Sequence, residues 1–177
     1  MMRRALDMLY GISGALAVLF LSLIALLTLA QIASRLLGYS LPSADDFAGF
    51  CMAGSVFMGL TYTLRSGGHI RLLTLLTRIA PSPRRALEIL CAATAVAIVG
   101  TLTWYAGDMI LASRRFGEYT MGLVPLPKWI PMLLMFSGLV VFLIALLDEL
   151  VGLLRGAKPS YVAREEESAT SIGSTAE

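Results

Sequence analysis

Long apolar runs alternate with short polar ones along this chain. Four runs stand out, over residues 11–34, 47–64, 87–112 and 130–154. A helix that crosses a bilayer needs about 20 mostly apolar residues at about 1.5 Å of rise each. The first run, GISGALAVLFLSLIALLTLAQIAS, carries no charge at all. It is longer than the roughly 7–15 apolar residues of a cleaved signal peptide, which predicts a helix retained in the membrane. The run at 47–64 is the shortest and sits at the low end of the spanning range. The third run holds one acid, Asp108, and the fourth holds two, Asp148 and Glu149. The pattern predicts an all-α membrane protein with four transmembrane helices, forming one domain over residues 1–156.

The polar stretches between the runs predict how the helices start and stop. Residues 1–10, MMRRALDMLY, read as a juxtamembrane lead. Ser43-Ala44-Asp45-Asp46 has the form of a capping box, with Ser43 as N-cap and an acid three residues on. Both acids would also favour the positive end of the helix dipole. A direct contact between Asp45, Asp46 and a partner is the other reading. Between the second and third spans lies LRSGGHIRLLTLL, residues 64–76. Gly67-Gly68 breaks the helix. From 69 to about 80, Arg71, Thr74 and Arg78 share one face while leucines and isoleucines fill the rest. That stretch is too short to span and too charged to bury, so it predicts a short amphipathic helix lying in the membrane interface. Ser82 as N-cap and Pro83 at the first helical position would open the third span. Tyr119 and Trp129 suit an interfacial belt. The tail, 157–177, contains an EEE run and many Ser and Thr, which predicts a disordered segment.

Composition agrees with a membrane protein. Of the 177 residues 57% are hydrophobic and 15% charged, with a mean hydropathy of +0.78; soluble domains carry about 25% charged residues. The net charge of +2 says little, but its distribution sets an orientation. Basic residues gather in cytoplasmic loops. With the N-terminus inside, the inner segments hold Arg3, Arg4, Arg65, Arg71, Arg78, Arg84, Arg85, Arg155, Lys158 and Arg164, and the outer loops hold Arg35, Arg114, Arg115 and Lys128. Ten against four predicts an N-in, C-in arrangement with a cytoplasmic tail.

Catalytic chemistry has little support. His69 is the only histidine, so no pair of imidazoles exists to hold haem or a multi-histidine metal site. Gly67-Gly68 is not followed by the Lys-Ser/Thr of a phosphate loop. Cys51 and Cys91 lie in apolar segments without metal-ligand spacing and read as small buried hydrophobes. No cofactor, metal or enzymatic role is expected. A transporter acting alone would want charge near mid-bilayer. The centres of the four runs fall near Leu23, Val56, Gly100 and Phe142, all uncharged. Asp108 lies about two turns from its centre, where Arg114 or Arg115 or a partner could meet it. Small residues spaced four apart, Gly49/Ala53, Ser55/Gly59, Ala93/Ala97 and Thr103/Gly107, predict close helix packing.

Three local patterns carry a resemblance to a family. The first is the acidic pair opening the second helix, Ser43-Ala44-Asp45-Asp46-Phe47. The second, and most specific, is the exit Leu64-Arg65-Ser66-Gly67-Gly68-His69-Ile70-Arg71. The third is Gly122-Leu123 followed by Pro125, Pro127 and Trp129, then Ser137-Gly138. Together, over residues 5–155, the chain resembles the small membrane subunit of tripartite ATP-independent periplasmic (TRAP) transporters. The family more often has Glu in the acidic pair, and often an Asp shortly after the exit motif that is missing here. The resemblance implies a bacterial inner-membrane protein that packs on a large permease subunit driven by a sodium gradient. It also implies a periplasmic solute-binding protein that delivers carboxylate-type solutes. Contacts with these partners, or with lipid, are expected from Asp45, Asp46, Arg65, His69, Arg71, Arg78, Asp108 and Trp129. Two other readings stay open: a stand-alone four-span transporter acting as a homo-oligomer, and an accessory subunit of an unrelated membrane complex.

Overall fold

A computed structural model describes residues 2–39, 41–65, 81–122 and 124–155. Four helices account for nearly all of them: α1 (Met2–Leu36), α2 (Ala44–Arg65), α3 (Pro81–Phe116) and α4 (Trp129–Leu154). Each contains a stretch long and apolar enough to cross a membrane: Leu6–Leu36, Ala44–Leu64, Arg85–Phe116 and Trp129–Leu154. All four helices run beyond the apolar runs that predict them. The N-terminal lead is part of α1, because nothing in Met1–Tyr10 breaks a helix. Likewise α3 starts at Pro81 and takes in Ser82 and Pro83, so Ser82 is no N-cap; both prolines sit in the first turn, where no N–H is needed. The predicted interfacial helix at 69–80, with His69, Arg71 and Arg78, lies outside the described residues, as does the tail.

The helices form a slightly curved row in the order α1–α2–α4–α3. α2 packs on α1 and α4, α4 packs on α2 and α3, and α1 only grazes α4. Position in the row sets burial. In the most apolar 18-residue window of α4, 22% of the residues are buried, against 6% in α3. The core lies at α4, where Leu139 and Leu146 meet Val99 and Ala106 of α3. Phe57 and Leu64 of α2 close it from the other side.

Close approach needs small residues. A side chain at Gly138 would start 2.7 Å from Phe57 Cβ and 2.8 Å from the Phe57 carbonyl carbon, so α4 meets the backbone of α2 there. On the other flank of α2, Ser13 Oγ donates to the Met58 carbonyl at 2.7 Å and Ser55 Oγ to the Ala17 carbonyl at 3.0 Å. Gly14 lies beneath the Tyr62 ring on the same seam. Two of the expected small-residue pairs therefore sit in contacts: Ser55/Gly59 against α1, and Thr103/Gly107 against α4, with Gly107 under Phe136. The other two do not. Gly49 faces open space, and Ala93 and Ala97 are exposed. The cysteines also differ from expectation: Cys51 is half-buried and Cys91 is exposed on the apolar surface of α3. In a row of four helices, an apolar residue has no more than even odds of facing another helix.

α1 and α3 stop at the same end of the row by the same device. Gly38 (φ 79°) and Gly117 (φ 60°) take left-handed conformations that glycine adopts without strain. In each case the next amide reaches back to an orphan carbonyl: Tyr39 to Ser34 at 2.9 Å and Glu118 to Ser113 at 3.1 Å.

Candidate functional site

That end of the row gathers several of the predicted residues into one polar cap. The loop from Gly117 to Lys128 folds on itself. The Thr120 amide donates to the Leu126 carbonyl at 2.8 Å, and the Lys128 amide donates to the Glu118 carbonyl at 3.0 Å. Thr120 Oγ1 accepts from the Leu126 amide at 3.0 Å, and Lys128 Nζ lies 3.4 Å from Glu118 Oε2. Pro125 and Pro127 stiffen the segment that carries these bonds, since their φ is fixed.

The start of α2 grips this loop. Ser43 Oγ accepts the Val124 amide at 3.0 Å. The Asp46 carboxylate, one turn on, rests against Gly122, where a Cβ would collide with Oδ2. The expected capping box is thereby overturned. Ser43 has a φ of 59°, outside the extended region an N-cap needs, and its hydroxyl is engaged by the loop. The reason is tertiary: the loop amide competes for the same oxygen that a helix amide would have taken. Asp45 turns the other way and accepts a hydrogen bond from Gln31 Nε2 of α1 at 3.0 Å. The acidic pair thus ties α1, α2 and the loop together, and no sequence signal pointed to Gln31 or Gly122 as its partners.

Trp129 opens α4 beside this cap. The Arg114 guanidinium lies over its ring, 5.2 Å from the centroid. Such a stack is worth about 0.5–1 kcal/mol at exposed sites. It takes Arg114 away from Asp108, the ion pair that spacing had suggested. Asp108 stands eight residues before the end of α3 at Phe116, on its exposed side. It lines a hollow of about 530 Å³ with Gly100, Thr103 and Gly107 of α3 and Leu133, Phe136 and Leu143 of α4. It has no hydrogen bond or ion pair with any described residue. A second hollow of about 820 Å³ lies on the α2–α4 side, walled by Phe20, Phe47, Phe50 and Val140.

Of the remaining predicted residues, Arg65 is the last residue of α2 and its side chain is outside the described part. His69, Arg71 and Arg78 are outside it altogether. At the opposite end of the row, Arg85 Nη2 reaches the Leu153 carbonyl at 3.4 Å, closing the start of α3 against the end of α4. Among the described residues no group of three His, Cys, Asp or Glu side chains could hold a metal ion.

Residues 24–156 match the family model of tripartite ATP-independent periplasmic transporters, DctQ component. The chain belongs to this family. It is the small permease component of a TRAP transporter, and the four apolar helices make it a multi-pass membrane protein. The match spans α2, α3 and α4 whole and the last third or so of α1, so the polar cap and the hollow at Asp108 lie within it, as does the second hollow apart from Phe20. No curated protein matches the chain. DctQ components work with a large permease subunit and a periplasmic binding protein, and the family is one of transporter components, not of enzymes.

Proposed function

We propose that this small permease component is a static scaffold that packs on the large subunit of an inner-membrane TRAP system. The large subunit moves carboxylate-type solutes with a sodium gradient, and the polar cap around Asp45, Asp46 and the 117–128 loop faces the periplasm, where it supports docking of the binding protein. The basic-residue bias supports this N-in, C-in orientation. The observation that carries the scaffold role is the row itself. Its four mid-depth positions, Leu23, Val56, Gly100 and Phe142, are uncharged, and its helices pack directly on one another with no polar lumen among the described residues. A solute or ion path through the bilayer needs polar or ionisable groups along it.

Reconstitution tests the role. In liposomes under a sodium gradient, this chain alone should accumulate no labelled carboxylate, and uptake should appear when the large subunit and binding protein are added. Uptake by the chain alone would refute the scaffold and favour a stand-alone transporter. Cysteine accessibility tests the orientation: with native cysteines replaced, Gly117→Cys should label from outside intact cells and Ser66→Cys should not.

A further inference from the structure

Two stretches at opposite edges of the row repeat one pattern. The end of α1 reads Arg35-Leu36-Leu37-Gly38-Tyr39, and the end of α3 reads Arg115-Phe116-Gly117-Glu118-Tyr119. In each, a base is followed by one or two large apolar residues, then by the left-handed glycine that stops the helix, then by a tyrosine. The apolar spans end inside both stretches, at Leu36 and at Phe116. Every residue of the two stretches is exposed, with Tyr39 at 74% and Phe116 at 80%. The side chains of Arg35 and Arg115 have no ion pair or hydrogen bond with a described residue.

A helix that simply ran out into water would end on polar residues. Here apolar and aromatic side chains stand at the end of the span and just past it, beside a guanidinium. Each type asks for a different layer. Leucine and phenylalanine match acyl chains, and tyrosine sits at headgroup level. Arginine lays its stem along apolar surface and offers a fork of donors that fits phosphate oxygens. A phospholipid headgroup layer supplies all three within one side-chain length. The repetition decides between occupants. α1 and α3 stand at the two ends of the row. One helix of a partner covers one edge, whereas the bilayer reaches both. A second copy of this chain, meeting either edge across a two-fold axis, would bring guanidinium against guanidinium.

We propose that these stretches are paired anchors that hold the two outer corners of the row in the phospholipid headgroup layer. Arg35 and Arg115 engage phosphate, and Leu36, Leu37 and Phe116 enter the adjoining acyl region. The proposal rests on the N-in, C-in reading only in placing the anchors in the outer leaflet.

Spin labels test it on the full chain, in vesicles of phosphatidylglycerol and phosphatidylethanolamine. Cys51 and Cys91 are replaced by alanine, and a nitroxide is attached at Leu37→Cys or at Phe116→Cys. Relaxation by oxygen, which concentrates among acyl chains, is compared with relaxation by a water-soluble nickel chelate. A label at Leu26→Cys, within the α1 span and exposed, gives the acyl-chain reference. Both test labels should favour oxygen. Arg35→Glu with Arg115→Glu should raise the nickel effect at both labels several-fold, because anionic headgroups repel the reversed charge. Arg35→Lys with Arg115→Lys keeps the charge and should leave the readings unchanged. In the complex with the large subunit, both labels should still favour oxygen. A label at either position that favours nickel in vesicles would overturn the inference. So would labels shielded from both relaxants in the complex, since protein would then cover these edges. Readings unmoved by the double charge reversal would overturn the role given to the arginines. Labelling of Gly117→Cys only from the cytoplasmic side would instead overturn the N-in, C-in reading and move intact anchors to the other leaflet.

Discussion

The crossing of α2 and α4 at Gly138 is the tightest contact in the row, and its cost can be isolated. Replacing Gly138 by Ala places a methyl group 2.7 Å from Phe57 Cβ and 2.8 Å from the Phe57 carbonyl carbon. Carbon atoms pack at about 3.5–4.0 Å, so the helices must part by about 1 Å. The obstacle is backbone, and rotation of a side chain cannot relieve it. The neighbouring core, Leu139 on Val99 and Ala106, loosens with it. Overpacking of this kind costs about 1–3 kcal/mol. Any Gly→Ala change within a helix also gains about 0.5–1 kcal/mol from backbone entropy. Gly49→Ala supplies that gain alone, since nothing lies within 4 Å of a Cβ there. The difference between the two variants is therefore the clash itself. At about 2–4 °C per kcal/mol for a chain of this size, Gly138→Ala should melt about 2–12 °C below Gly49→Ala in detergent. Equal melting of the two would mean that α2 and α4 do not approach as closely as described.

Ser13→Ala and Ser55→Ala each remove a hydrogen bond from α1 to α2, and each should cost about 0.6 kcal/mol and no more than about 1.7, read by unfolding of the purified protein. Ser43→Ala removes the acceptor of the Val124 amide while keeping the left-handed backbone, and Gly122→Val drives a side chain into Asp46; both should speed proteolytic cleavage within the 117–128 loop, with the spans left intact. For the segment beyond α2, Leu73→Asp with Leu76→Asp should reduce transport by the assembled system more than Arg71→Ala or His69→Ala. Loss of transport in His69→Ala with assembly intact would point to gating or ion coupling at that residue.

The spans were legible because their signal is additive: some twenty apolar residues in a row outweigh any local ambiguity. The order of the helices in the row was not. Each helix is apolar on nearly every side, so no polar stripe marks which side meets protein and which meets lipid. Small-residue spacing filled that gap only in part, correctly for Ser55/Gly59 and Thr103/Gly107, and not for Gly49/Ala53 or Ala93/Ala97. At the cap, local chemistry misled in an instructive way. Ser43 has the right residue type and spacing for an N-cap, yet an amide 81 residues away takes its oxygen. Likewise Arg114 lies within sequence reach of Asp108 but finds an aromatic face first. Asp45 and Asp46 were visible as a pair, and their division of labour between Gln31 and Gly122 depends on contacts that only the fold creates.

The row has a mechanical consequence. Helices packed side by side stand about 8–10 Å apart, so the outer axes, α1 and α3, are separated by up to about 24–30 Å, less whatever the curvature of the row takes away. Held along one flank of a larger protein, such a strip acts as an outrigger. It broadens the footprint in the plane of the bilayer and recruits a longer annulus of boundary lipid. A load shifted across the membrane by a moving neighbour then exerts its torque on a wider base, and tilting requires more lipid to be displaced. A compact bundle of the same four helices would offer a shorter lever arm. On this view the thinness of the core is no defect, because leverage grows with breadth and not with depth of packing.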